Sequence, residues 1–172
     1  MAEYAVGRDW KKIALVTVPA IVLAGSASGW LSNSGYENDW FASLVKPSFM
    51  PPGWAFGVAW TTLYALMGVA VAIILAAPSS SERRLALALF WTQLAINYAW
   101  SPIFFGARDI KLGEIMILAM LVVALASAGL FRRIRTVAGL LMLPYLMWLC
   151  FAFALNSSID ALNPGAGTSL LG

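Results

Sequence analysis

Residues 52–77 read PGWAFGVAWTTLYALMGVAVAIILAA, a run with no charged side chain, opened by Pro52-Gly53 and closed by Pro78-Ser79-Ser80-Ser81. At 1.5 Å of rise per residue, a helix of this length reaches about 39 Å, more than the roughly 30 Å of a bilayer's hydrocarbon layer. Apolar and polar residues do not alternate along it, which excludes a strand of a membrane β-barrel. Outward from this run, similar apolar stretches occupy about 13–31, 85–105, 112–131 and 137–155. The pattern predicts an all-α protein, a five-transmembrane-helix bundle, with 1–172 as a single integral membrane domain.

Composition points the same way. Hydrophobic residues make up 61% of the chain and charged residues 11%, against roughly 45–50% and 25% in soluble domains. One core of this size cannot hide that much apolar side chain, so the lipid bilayer must solvate much of it. A cytosolic enzyme, a secreted disulfide scaffold and a disordered tail are thereby excluded. The single cysteine, Cys150, cannot form an internal disulfide and has no basic neighbour to make it a reactive thiol. There is no histidine, so the commonest metal ligand and general base are missing, and no metal site is expected. No basic run is interleaved with aromatics, so nucleic acid is not an expected partner.

Basic side chains set the orientation. Arg8, Lys11 and Lys12, then Arg83 and Arg84, then Arg132, Arg133 and Arg135 fall on one side of the predicted spans, and Lys46, Arg108 and Lys111 on the other. The positive-inside rule then places the N-terminus inside, with the C-terminus and the long loop 32–51 outside. Lys11-Lys12 ahead of an apolar run, with Gly25-Ser26-Ala27 after it, also resembles a signal peptide; the length of the run and the further spans favour a first span. The loop 32–51 carries Trp40, Phe41, Phe49, Pro47 and Pro51, with Pro52 next in line, a composition that predicts an ordered outer lid. Residues 159–172 read as a flexible tail. No internal repeat supports an inverted-repeat transporter. No ionisable group sits mid-span; Glu114 follows Lys111 by three residues and reads as an interfacial ion pair. A proton-coupled pump, which needs a buried carboxylate, is therefore not supported.

The spans carry uncharged polar and aromatic side chains instead. Phe56, Trp60, Tyr64 and Met67 share one helical face, Gln93, Asn97, Trp100 and Phe104 another, and Tyr145, Trp148 and Ala152 a third. Trp60 lies eight residues past Pro52, Trp148 eight before Asn156 and Asn97 nine before Gly106. Each is thus about 12–13 Å below the outer end of its helix. Such residues can simply glue helices together, for roughly 0.6 kcal/mol per hydrogen bond. Their convergence at one depth, beneath a lid, favours a binding cavity. There a buried indole N–H needs a partner, and Asn97 can supply one or share a ligand with it. The glycine pairs Gly25/Gly29 and Gly53/Gly57 allow close helix approach, read first as packing within the bundle and second as dimerisation. Ala95 and Ala99 form a small-residue strip on the third span.

Several of these residues also carry a resemblance. Lys46-Pro47-Ser48-Phe49-Met50-Pro51-Pro52, Trp60-Thr61 and Leu63-Tyr64, then Asn97, Trp100-Ser101-Pro102 and Phe104-Phe105, then Pro144-Tyr145-Leu146, Trp148, Phe151-Ala152 and Leu155-Asn156, stand in an order that resembles the translocator protein family (TspO/MBR), also called tryptophan-rich sensory protein or peripheral-type benzodiazepine receptor, in its bacterial form. The likeness covers the long loop and the second, third and fifth spans, about half the chain. It implies a homodimer of five-helix bundles with a cavity under the first loop. It also implies a receptor or carrier for tetrapyrroles (porphyrin, haem) and similar flat apolar ligands, linked to tetrapyrrole or stress regulation. No cofactor is required; the porphyrin or haem is the ligand. The alternatives it leaves open are a light- and oxygen-dependent porphyrin-degrading enzyme using Trp60 and Trp148, and a regulatory scaffold. The ligand-contacting tryptophans carry over to Trp60 and Trp148, and the third-helix asparagine to Asn97. Phe56, Tyr64, Trp100, Tyr145 and Ala152 join them from the shared faces, and Lys46 is the candidate cation for porphyrin propionates, with Arg108 or Lys111 behind it. Three features depart from the family. Phe49 stands where many relatives have Trp in the Lys-Pro motif, which keeps an aromatic face but loses an N–H donor. After Asn156 come Ser157-Ser158-Ile159-Asp160, so the C-terminal sterol motif is absent and sterol is left as a weaker ligand expectation. With no histidine for axial ligation, a metal-free porphyrin fits better than a strongly ligated haem.

Overall fold

The computed structural model describes residues 9–167. Arg8 and the last five residues of the expected tail lie outside the described residues. In chain order come α1 (Trp10–Leu31), α2 (Asp39–Ser43), α3 (Gly53–Ala76), α4 (Ser81–Ser101) with a π-helical turn at Pro102–Gly106, α5 (Ile110–Ile134), α6 (Thr136–Leu141) and α7 (Leu143–Leu162).

Local chemistry sets these boundaries. Asp9, Ser80 and Asp109 each cap a helix by accepting from the backbone N–H of Lys11, Arg83 and Leu112, at 3.0, 3.0 and 2.9 Å. Pro78 stops α3, and Arg83 Nη1 closes the following turn by donating to Ala77 O at 2.9 Å. Pro144 has no N–H to offer Leu140 O, and the chain breaks there into α6 and α7 around Met142.

Among the described residues, α1, α3, α5 and the stretch Thr136–Leu162 are the helices long and apolar enough to cross a membrane. This corrects the expected five-transmembrane-helix bundle: the protein is all-helical, but with four such spans. The residues of 85–105 do form α4 and the π turn, and α4 has the length. It lacks the apolarity, because Glu82, Arg83 and Arg84 occupy its first turn and Gln93 and Asn97 its interior. Those two amides are buried inside the protein, at 0% and 5% exposure.

Successive long helices run antiparallel. Thr17 Oγ1 on α1 donates to Gly68 O on α3 at 2.7 Å, while Gly25, further along α1, abuts Tyr64. A Cβ on Gly25 would lie 2.2 Å from the Tyr64 ring, and one on Gly68 2.7 Å from Val18 Cα. Gly25 and Gly68 therefore serve close α1–α3 packing, whereas a Cβ on Gly29 or Gly53 would meet only the loop side chains Ser34 and Tyr36, and one on Gly57 nothing within 4 Å. Between α4 and α5, Ser127 meets Ala86 O at one end and Trp100 Nε1 meets Gly113 O at the other. Between α5 and α7, Asn156 Nδ2 donates to Ile110 O at 3.0 Å. The main core gathers Met67, Val71, Phe90, Met120, Phe131 and Leu149.

A second apolar cluster seats the loop 32–51 on one end of the helices: Phe41 and Leu44 pack on Phe104, Phe105, Leu155 and Ile159. Part of the predicted tail belongs to this assembly. Residues 159–162 complete α7, and Asn163 accepts from Val45 N at 2.7 Å and donates to Val45 O at 2.8 Å. Trp40 Nε1 reaches Ala166 O at 3.0 Å. A tail read only from its Gly, Ser and Asn content misses these backbone clasps.

Candidate functional site

A cavity of about 610 Å³ lies between the helices beneath the loop, within the roughly 300–1,000 Å³ usual for small-molecule sites. Its wall takes Phe56, Trp60 and Tyr64 from α3, Asn97 and Trp100 from α4, and Trp148 and Ala152 from α7. Tyr36, Phe41 and Met50 come from the loop, and Ile117 and Met120 from α5. Gly57, one turn before Trp60, lines the space with nothing within 4 Å of where its Cβ would stand.

The aromatic wall has a definite geometry. Trp60 stacks on Tyr64 with centroids 5.2 Å apart and planes at 28°, and meets Trp148 edge to face at 6.1 Å and 78°. Phe56 meets Trp148 at 5.9 Å and 78°. Trp100 stacks on Phe104 at 4.7 Å, and its N–H donates to Gly113 O at 3.0 Å.

Below this wall runs a chain of buried hydrogen bonds. Tyr64 OH donates to Asn97 Oδ1 at 2.7 Å, Asn97 Nδ2 donates to Tyr145 OH at 3.2 Å, and Tyr145 OH donates to Gln93 Oε1 at 2.7 Å. The three bonds run in one direction, from Tyr64 through Asn97 and Tyr145 to Gln93. Of the two roles expected for Asn97, its amide serves two tyrosines and not an indole, while the residue also lines the cavity. Tyr145 is 1% exposed and stands behind the wall, not in it.

Lys46 is the other sequence-predicted residue that does not line the cavity. Its Nζ donates to Phe41 O at 2.6 Å, Leu44 O at 2.9 Å and Ala42 O at 3.2 Å, and lies 4.8 Å from the Phe41 ring centroid. It caps the carbonyls at the end of α2, which corrects the expected propionate-binding role at the mouth. Its partial burial pushes its pKa down. Lys111, placed behind it in that expectation, pairs with Asp160 at 2.5 Å and with Glu114 at 3.8 Å, and Ser157 donates to Glu114. Arg108 does not line the cavity either.

The rim holds residues that sequence reasoning passed over: Ser26, Asn33, Ser34, Tyr36 and Glu37. Ser26 stands on α1, and the other four lie in the turn after it, where Asn33 and Gly35 take positive φ of 47° and 123°. Polar residues in an irregular turn carry no periodic signal that would aim them at a cavity. Cys150 is exposed on α7.

Comparison with known proteins covers most of the described region. The model of the TspO/MBR family matches residues 16–162. The "Tryptophan-rich protein TspO" of Archaeoglobus fulgidus is 36% identical over 150 residues, covering 87% of this chain and 95% of its own length. The "Translocator protein" of Sus scrofa is 37% identical over 155 residues, covering 86% and 92%. The "Protein CrtK" of Rhodobacter capsulatus is 39% identical over 127 residues, covering 73% and 79%.

Proposed function

The chain belongs to the TspO/MBR family, and on that premise we propose that this integral membrane receptor takes up tetrapyrroles and similar flat apolar ligands in the cavity beneath its loop. The observation that carries the reading is the wall itself: Phe56, Trp60, Tyr64 and Trp148 converge from two helices on one space of about 610 Å³. A ligand arriving from lipid gains little from leaving acyl chains that are already apolar. Selection then rests on shape, ring contacts and a few polar groups. Aromatic pairs add about 0.5–1.5 kcal/mol each beyond area burial, and the Tyr64–Asn97–Tyr145 chain holds the floor rigid beneath them.

The basic residues Lys11, Lys12, Arg83, Arg84, Arg132, Arg133 and Arg135 lie at the helix ends away from the loop. The positive-inside rule places that end inside and the cavity mouth outside. Ala95 and Ala99, exposed on α4, are the proposed seat of a second copy.

The test is a fluorescence titration of the purified protein with protoporphyrin, beside a Gly57→Leu variant whose added side chain occupies the cavity. Saturable quenching in the parent and its loss in the variant support the reading; equal quenching in both overturns it. Illumination of the bound complex separates receptor from enzyme. Porphyrin lost faster than in protein-free micelles, by a route abolished in the variant, would make the protein a porphyrin-degrading enzyme.

A further inference from the structure

We propose that Glu37 sets the charge preference of the cavity, so that flat ligands with an uncharged or cationic polar end are favoured over dicarboxylates. The inference rests on the cavity reading above and narrows its ligand class. Among the described residues, Glu37 is the one charged side chain in the cavity wall. Its neighbours on the rim, Ser26, Asn33, Ser34 and Tyr36, bring hydroxyls and an amide but no charge.

The cations on the loop side, Lys46, Arg108 and Lys111, do not line the cavity. Lys46 keeps its charge, but its Nζ is turned to the carbonyls of Phe41, Leu44 and Ala42, 5.8 Å from the Tyr36 ring centroid and outside the cavity wall. Lys111 is paired with Asp160 at 2.5 Å and with Glu114 at 3.8 Å. An anionic group at the mouth therefore meets a carboxylate with no compensating ammonium in the wall. An ester, amide or hydroxyl meets groups that can hydrogen-bond to it, and an amine gains an opposite charge. Glu37 is exposed, so solvent and salt screen it, and the discrimination is several-fold rather than many decades. The ligand class that fits is a planar apolar body with a neutral or basic polar end. A tetrapyrrole matches it best with its carboxyls esterified or amidated.

The experiment uses one macrocycle in three charge states: protoporphyrin, its dimethyl ester, and its bis-amide bearing two tertiary amines. Each is titrated at neutral pH and low salt, in one nonionic detergent, into the parent protein and into Glu37→Gln, Glu37→Lys and Glu82→Gln. Glu82 lies at the start of α4, at the end of the bundle away from the loop, and controls for general charge effects. Comparing variants at fixed porphyrin cancels micelle partitioning. The ratio of dissociation constants, diacid over diester, is expected to fall about threefold in Glu37→Gln and about tenfold in Glu37→Lys. It stays unchanged in Glu82→Gln, and the diamine loses affinity in Glu37→Lys. Ratios equal in all four proteins overturn the charge preference while leaving the cavity reading intact. If none of the three porphyrins quenches the parent protein saturably, the cavity reading itself fails and takes this inference with it.

Discussion

Trp60 and Trp148 meet edge to face, their ring centroids 6.1 Å apart and their planes at 78°. One indole stands on α3 and the other on α7, so the contact joins two helices at the cavity wall. Tyr64 already covers one face of Trp60. The pair therefore forms a corner, on which the proposed planar guest would stack against one ring and abut the other, without being sandwiched between them.

Removing either ring should weaken protoporphyrin binding. Trp60→Leu and Trp148→Leu each forfeit about 0.5–1.5 kcal/mol of ring contact, roughly a two- to twelvefold rise in dissociation constant. Because the rings touch each other, the double variant should depart from the product of the single effects. Titrations followed by porphyrin absorbance, which does not depend on the tryptophans, give the numbers. Strict additivity would argue against a shared corner.

Two glycines should respond in opposite ways. Gly57→Leu meets open space and replaces a poor helix former, so thermal stability should hold or rise while ligand capacity falls. Gly25→Ala drives a Cβ to within 2.2 Å of the Tyr64 ring. The displaced tyrosine strains its bond to Asn97, and a stability loss of about 1–3 kcal/mol is expected. Thermal melts in one detergent compare the two. A destabilised Gly57→Leu or an unaffected Gly25→Ala would contradict the packing described.

Tyr145→Phe tests the buried chain. The substitution keeps the ring but strips the Gln93 carbonyl of its donor and the Asn97 amide of its acceptor. Leaving buried polar groups unpaired costs about 1–3 kcal/mol each. The variant should unfold at lower temperature and, having no group in the cavity wall, bind porphyrin with only a modest change. A melt identical to the parent's would show that the chain contributes nothing.

The loop should be governed by its clasps. Asn163→Ala removes both bonds to Val45, and Lys46→Met uncovers the carbonyls of Phe41, Ala42 and Leu44. Both variants are expected to raise amide exchange around residues 40–46 and to speed porphyrin dissociation. Since Lys46 does not face the cavity, the acceleration should be the same for the diacid and the diester. A selective effect on the diacid would restore a direct propionate contact.

Much of this site could be read from the chain because helical rise is regular. Counting residues from the expected span ends brings Trp60, Asn97 and Trp148 to one level, and all three line the cavity, although α7 runs on past Asn156 to Leu162. The count of spans failed at α4, where length and flanking signals resemble the others but Gln93, Asn97 and the charged first turn lower its apolarity. Polar residues that serve the interior weaken the very signal used to find a span. Lys46 was misplaced because its direction depends on α2, a five-residue helix too short to show a period. The mooring of Asn163 and Ala166 on the loop joins segments more than a hundred residues apart, a relation that local pattern does not encode.

The most direct measurement is a structure determined with protoporphyrin bound. The account predicts the macrocycle inside the bundle, in the corner made by Trp60 and Trp148, with Tyr36 and Phe41 above it and Asn97 below. A macrocycle seated on the outer, lipid-facing surface of the helices, with the space between those two indoles unchanged, would contradict it.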